Sequence, residues 1–514
     1  MVYRGKPSPG CGLCRARRRA YSLNKCDRGR PSCSQCRRIG RECPGYQDPN
    51  ALRFYDQSDE VIAKAQARHK TRQKPKEPIL LTQLTPLSLK NISKYPEEWA
   101  TSYTIAFYIG TTENRGILPF VPDLISKTPS PALEAAVKAI GLASISKIHQ
   151  LPKLRHAAGQ EYGKALLATN CALHDPIIAK SDSTLTAVIM LGMYEVIAGS
   201  GSNMMEGWLN HVQGSMKLLE LRGTGQLESR RGVELFTLIR MQIVSQGPRK
   251  VPTTLADLSF KVISNIFYKR RVSPEVAALS EIAWSRRNNQ TQALEEFLRI
   301  LIQLGELSAD IHGIFKDGKE RATDDPEPFI KRALYLDADL VSWSMSLSPP
   351  WRYNVIATPV HLRSKGDAYS YYYGDTYHTF NSVGFASGWN NYCQTRIVIQ
   401  EIVRSLCMRS MGSVTADISQ RTMVLANTIS RQMINSICAS VPYHFNSGEV
   451  GMGLAFRLLW PIFITANCGA TTPEIKDWAM KTLDLIGNTT GIQQALMMSQ
   501  AVKRGHTMTL IPGT

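Results

Sequence analysis

Residues 11–43 read CGLCRARRRAYSLNKCDRGRPSCSQCRRIGREC, and six of the chain's eleven cysteines stand here, Cys11, Cys14, Cys26, Cys33, Cys36 and Cys43. The second half has the spacing C-x2-C-x6-C, through Cys33, Cys36 and Cys43. The first half opens alike, with Cys11 and Cys14, but reaches Cys26 only after eleven residues. Two residues between a pair of cysteines let both thiolates grip one ion from a single turn. Three thiolates per half cannot complete two separate tetrahedral zinc sites, which would need eight ligands. Six suffice if two sulfurs each bridge both metals. Six thiolates and two zinc ions sum to −2, and the twelve Lys and Arg of residues 1–50 more than offset that charge.

The basic and cysteine residues together carry a resemblance. Cys11-Gly12-Leu13-Cys14-Arg15-Ala16-Arg17-Arg18, Lys25-Cys26-Asp27, Arg30-Pro31-Ser32-Cys33-Ser34-Gln35-Cys36 and Gly40-Arg41-Glu42-Cys43-Pro44-Gly45-Tyr46 are similar to the fungal zinc binuclear cluster DNA-binding domain. The resemblance implies two zinc ions and two short helices around them. By position it makes Cys11 and Cys33 the bridging thiolates, Cys14 and Cys26 the further ligands of one zinc, and Cys36 and Cys43 those of the other. It gives Pro31 the turn between the two halves. It makes Arg18 the residue that reads base edges in CGG-like triplets, consistent with the pairing of Arg with guanine O6 and N7. Arg15, Arg17 and Arg19 share the first helix for phosphate contacts, and Lys25 matches the lysine before the third cysteine. Arg37, Arg38 and Arg41 are expected to face the DNA backbone.

The sequence departs from the family pattern at one place. Ala20-Tyr21-Ser22-Leu23-Asn24 are five residues too many, and removing them restores both the spacing and the motif. Either they bulge as a loop, tolerated because lengthening a surface loop has a small entropic cost, or they reflect a mis-assigned splice boundary.

Charge supports a polyanion partner for this head. The chain of 514 residues carries a formal net charge of +19, and residues 1–90 hold 20 basic and 7 acidic side chains. A basic head on a near-neutral body points to nucleic acid or an anionic surface. No apolar run opens the chain, and the stretch 453–470 is interrupted by Arg457 and Pro461, so neither a secretory signal nor a membrane span is expected. A cysteine cluster without a secretion signal reads as metal ligands in a reducing compartment. The expectation is a soluble intracellular protein.

After the turn residues 44–49, residues 58–67 are expected to form a short helix, with no heptad seam for a coiled coil. Arg68, Lys70, Arg72, Lys74 and Lys76 then form a basic run around Pro75, read as a nuclear-import signal beside a DNA-binding head.

From about residue 95 the pattern is helical. Ser130-Pro131 caps a segment with Leu133, Val137, Ile140, Ser144 and Ile148 on one face. Ser183 opens a nearly all-apolar run, 185–198, expected to be a central buried helix ending at Gly199. Trp208, Val212, Ser215 and Leu219 share a face of 205–222, which stops at Gly223. Ile399, Ile402, Val403 and Leu406 mark another helix, and Leu425, Ile429, Met433 and Ile437 one that ends before Pro442. Strand patterns are scarce, so the body reads as all-α.

Residues 130–137, 182–188 and 208–214 give this body its likeness to the fungal-specific regulatory domain that follows binuclear clusters. The resemblance, drawn over 95–514, implies a regulatory role with dimerisation or effector binding and no catalytic residues. Phosphate-loop, dinucleotide and H-E-x-x-H motifs are missing from the sequence. His149 and His156 are read as structural, Cys171, Cys393, Cys407, Cys438 and Cys468 as buried free thiols, and Tyr369, Tyr371, Tyr372, Tyr373 and Tyr377 as packing between helices.

The sequence therefore reads as three parts: a zinc-cluster head at 8–46, a basic linker at 47–94 and a large all-α regulatory domain at 95–514. The expected function is a nuclear, sequence-specific transcription factor for RNA polymerase II genes of a metabolic or secondary-metabolite pathway. Its expected partners are double-stranded DNA, transcription machinery or co-regulators and a second copy of the chain, with no membrane. The alternative is an α-helical interaction protein whose head is disabled by residues 20–24.

Overall fold

The computed structural model describes residues 10–17, 26–46, 96–109, 118–199, 203–243, 273–288, 291–315, 325–359, 371–409, 416–446 and 457–504. The chain divides into two compact units, Met1–Pro78 and Ile79–Thr514. The expected helix at 58–67 and the basic run at 68–76 lie outside the described residues, as do residues 18–25.

The first unit holds two short helices, α1 (Gly12–Arg17) and α2 (Ser34–Arg38). Each begins one residue after a cysteine, Cys11 or Cys33. Among its described residues the only buried hydrophobic side chains are Cys11, Cys33 and Cys36, with Leu13 and Tyr46 packed against them.

The second unit is helical: α3 (Pro96–Thr104), continued as a π-helix through Ile105–Ile109, then α4 (Val121–Lys127), α5 (Pro131–Ile148), α6 (Pro152–His174), α7 (Asp182–Ala198), α8 (Asn203–Arg222) and α9 (Arg230–Ile243). There follow α10 (Pro274–Ser285), α11 (Gln292–Phe315), α12 (Glu327–Ser346), α13 (Val383–Arg409), α14 (Ala416–Asn446), α15 (Leu459–Asn467), α16 (Pro473–Thr490) and α17 (Gln493–Lys503). One apolar core runs from Ala100 to Val502. No helix among the described residues is long and apolar enough to cross a membrane.

Two helices lie deepest. In α5, thirteen of eighteen residues are buried, and the Ser130 hydroxyl accepts the Leu133 N–H at 3.4 Å, as the Ser-Pro start predicts. The α7 helix is buried nearly all round, as expected from its composition, but its cap is Ser181, whose hydroxyl accepts the Thr184 N–H at 3.1 Å; Ser183 is already inside the helix. Around them pack α3, α6 and α8. Close approach is built into Gly141 of α5: a Cβ there would lie 2.0 Å from the Ala100 carbonyl oxygen of α3. Gly223 ends α8 at φ 61° and ψ −155°, a backbone that glycine alone adopts readily.

The body is largely helical, as expected of an all-α domain, and two readings of α14 need correction. Among the described residues one short ribbon interrupts the helices: β1 (Asn354–Ala357) and β2 (Thr376–Thr379) pair antiparallel, with Val355 opposite His378 and Ile356 opposite Tyr377. Both strands are four residues long, too short for an alternating pattern to stand out. The α14 helix runs through Pro442 instead of ending before it. Proline removes the bond to the Cys438 carbonyl there and crowds that carbonyl, and the buried residues Cys438 to Val441 hold the segment. Its core face is also rotated: Ala426, Ser430, Ile434 and Ile437 are buried, whereas Leu425 is 56% exposed and Ile429 and Met433 only partly covered. The small side chains at 426 and 430 favour close packing on α13, which neighbours this helix.

Other readings hold in part. Ile399, Ile402, Val403 and Leu406 are all buried. Cys393, Cys407, Cys438 and Cys468 are buried, but Cys171 is exposed, on the outer side of α6. His149 caps the end of α5 and His156 sits in α6, so they do not share a helix. The tyrosines do pack: Tyr371 stacks on Phe445 at 4.7 Å, Tyr373 meets Trp478 at 5.4 Å, and Asn446 hydrogen-bonds both Tyr371 and Tyr372. Tyr369 lies outside the described residues.

Candidate metal centre

The six cysteines of the head converge. Cys11, Cys14, Cys26 and Cys33 form one group that can hold a metal ion, and Cys11, Cys33, Cys36 and Cys43 form a second, the sulfurs of each group lying within 4.8 Å of one another. Cys11 and Cys33 are common to both. Their sulfurs are 3.8 Å apart; Cys11 to Cys36 is 3.7 Å and Cys14 to Cys33 is 3.8 Å. The edge of a tetrahedron of sulfurs about 2.3 Å from a central zinc is about 3.8 Å. The donor set and its spacing therefore fit zinc.

The two halves build this arrangement alike. The Cys14 N–H points at the Cys11 sulfur at 3.5 Å, and the Cys36 N–H at the Cys33 sulfur at 3.4 Å. In each half the first turn of a helix thus aims a backbone dipole at the cysteine that precedes it, which favours the thiolate. Six sulfurs this close cannot all ionise without a cation. Burial pushes Cys36 up to about 12 and raises Cys11 and Cys14. Backbone hydrogen bonds at Cys33 and Gly45 bring Cys43 down to about 7, and at Cys26 the burial that would raise the thiol is outweighed by backbone hydrogen bonds at Cys11 and Arg28.

Two residues beyond the ligands brace the centre, and sequence reading gave neither a role. Asp27 accepts the Ser34 N–H at the start of α2, at 3.0 and 3.2 Å, and hydrogen bonding from the Ser34 side chain, with this backbone bond adding to it, holds its carboxyl below the usual range. The Tyr46 hydroxyl donates to the Gly29 carbonyl at 2.7 Å, folding the segment after Cys43 back on the loop after Cys26. Asp27 stood in the motif, and its place next to Cys26 was the available signal. Tyr46 offered none beyond an aromatic ring beside a turn.

Around the cluster Arg28, Arg30, Arg37, Arg38 and Arg41 are exposed, and Arg37 also donates to the Ser32 carbonyl at 3.0 Å. Arg15 and Arg17 belong to α1, with only their backbone described. Arg18, Arg19 and Lys25 lie outside the described residues, as does the five-residue segment 20–24. In the body, Tyr162, Glu195 and His211 form a hydrogen-bonded set on α6, α7 and α8. Burial lowers His211 to about 4 and raises Glu195, and the set reads as an internal brace between helices.

Residues 119–243 match the family model of the fungal specific transcription factor domain. All three sequence blocks that carried the body's resemblance fall inside this match, which is narrower than the span 95–514 over which the likeness was drawn. It covers α4 to α9, including both deeply buried helices. No curated protein and no solved structure matches the chain. The matched domain is one of transcription regulators and marks the chain as a non-enzymatic regulator.

Proposed function

We propose that this chain is a nuclear, sequence-specific DNA-binding transcription factor whose head holds two zinc ions. The observation that carries the reading is the pair of four-cysteine groups sharing Cys11 and Cys33. Cys14 and Cys26 would complete one site and Cys36 and Cys43 the other. Bound zinc supplies the cross-link that this head, with little apolar interior, needs in order to fold. Asp27 and the backbone N–H groups of Cys14 and Cys36 orient the ligands.

DNA contact follows from the basic residues. Arg15, Arg17, Arg18 and Arg19 in or just after α1 address the major groove, with Arg18 reading guanine in CGG-like triplets. Lys25, Arg37 and Arg38 add phosphate contacts, which position the head without reading sequence. Arg68, Lys70, Arg72, Lys74 and Lys76 direct nuclear import. The body carries regulation through transcription machinery or co-regulators and through a second copy of the chain, at RNA polymerase II genes of a metabolic or secondary-metabolite pathway.

The test is site selection on the full-length, zinc-loaded chain with random duplexes, followed by binding to the selected duplex before and after chelation. Enrichment of CGG-like triplets, lost on chelation while the helical circular dichroism of the body persists, is expected. A stripped protein that still binds the selected site overturns the zinc reading. A loaded protein with no duplex preference leaves the helical body as the working part.

A further inference from the structure

A second charged surface lies in the body, outside the residues of the family match. Trp284, near the end of α10, is partly buried. The guanidinium of Arg287 sits 3.7 Å from the centre of its ring, and that of Arg299, from α11, sits 5.0 Å away. Arg287 also donates to the Trp284 carbonyl at 2.8 Å. Between the helices the Thr291 N–H donates to Asn288 Oδ1 at 3.1 Å and the Asn288 N–H to Thr291 Oγ1 at 3.0 Å.

Arg286, Arg287 and Arg299 are all exposed, and among the described residues none of them meets a carboxylate. A guanidinium stacked on an indole spends its flat face on the ring and keeps its edge N–H groups for planar acceptors. Arg287, just after the end of α10, and Arg299, on α11, bring two like charges to one ring, a repulsion that a bound anion relieves. The flanks limit what the anion can be. Glu281 stands exposed three residues before Trp284, and Glu296 stands three residues before Arg299. Arg286, Arg287 and Arg299 outnumber these two carboxylates, so a net positive charge is confined to a short span, the extent of a peptide segment.

We propose that Trp284, Arg287 and Arg299 form a docking site for an acidic peptide segment of a partner protein, whose carboxylates take the free guanidinium edges. The site lies wholly within the helical unit and would serve it whether or not the head binds DNA.

The test uses the full-length chain labelled with fluorotryptophan, the Trp284 fluorine resonance being assigned with W284F, and a hexaglutamate peptide as probe. The local resonance separates this site from any binding by the basic N-terminal segment. A saturable shift of the Trp284 signal is expected, with affinity falling about tenfold in R287Q/R299Q, the loss of a charge-assisted contact. R287K/R299K should not restore it, because lysine keeps the charge without the planar edge. A Trp284 signal that stays still, an unchanged affinity in the double glutamine variant, or a larger shift with duplex DNA than with the peptide would each overturn the proposal.

Discussion

Both carboxylate oxygens of Asp27 face the backbone N–H of Ser34, at 3.0 and 3.2 Å, so the residue after Cys26 is tied to the residue after Cys33. This bond holds two sulfurs of one four-cysteine group in register without help from a metal. On the two-zinc reading D27A should still bind both ions, but chelator-driven release should be about tenfold faster, the usual effect of losing a group that orients ligands. A chromogenic chelator assay on the full-length chain measures it. An unchanged release rate would mean the bond is incidental.

The sharing of Cys11 and Cys33 makes stoichiometry diagnostic. Native mass spectrometry of C33S should find both zinc ions lost or greatly weakened, because each group then has three sulfurs. C43S should disturb one group only and keep one ion. Equal losses in both variants would argue against shared sulfurs.

What could be read in advance follows a physical line. The cysteine groups were legible because metal ligands need fixed spacing and a fixed residue type. The buried helices α5 and α7 were legible because one carries a Ser-Pro cap and the other has almost no polar face. The α14 face was misread because its large residues, Leu425 and Ile429, catch the eye, while the small Ala426 and Ser430 are the ones covered. Trp284 with its two arginines was invisible, since Arg299 comes from a different helix and no local pattern joins them.

Gly141 should tolerate no side chain. A Cβ there would press on the Ala100 backbone, which cannot rotate away as a flexible side chain can. G141A should destabilise the body by about 3 kcal/mol, despite alanine's better helix propensity. Urea unfolding followed by circular dichroism measures this, and a neutral or stabilising result would mean α3 shifts off α5 freely.

Arg240 and Glu295 form a buried ion pair through two bonds of 2.9 and 2.5 Å, with the guanidinium 4.2 Å from the Phe236 ring. Truncating one partner, as in R240A, leaves a buried charge unpaired and should cost about 3–5 kcal/mol. The apolar double variant R240M/E295L should recover much of that loss. A double variant as damaged as the single one would show that the pair fixes packing that apolar side chains cannot replace.

His444 is buried beside Asn390, and burial followed by the nearby Arg457 charge lowers it to about 3. The folded state therefore binds fewer protons here than the unfolded chain, whose imidazole titrates near 6.5. Its contribution to stability is full above about pH 6.5 and fades as pH falls from there toward 3, by about 1.4 kcal/mol per pH unit for this one group. Histidine NMR should show the His444 ring still neutral at pH 5. A His444 signal titrating near pH 6 would contradict its burial.

Among the described residues, the head's interior is made of sulfur, with three cysteines buried and only Leu13 and Tyr46 as larger apolar neighbours. Domains with hydrocarbon interiors stay folded regardless of supply, but on the zinc reading this one persists only as long as its ions do. Starvation for zinc, or oxidation of the thiols, would then silence gene recognition while leaving the helical body intact. The cell would hold a population of chains able to engage co-regulators yet blind to promoters, and the regulator would turn from a switch at its genes into a competitor for their machinery.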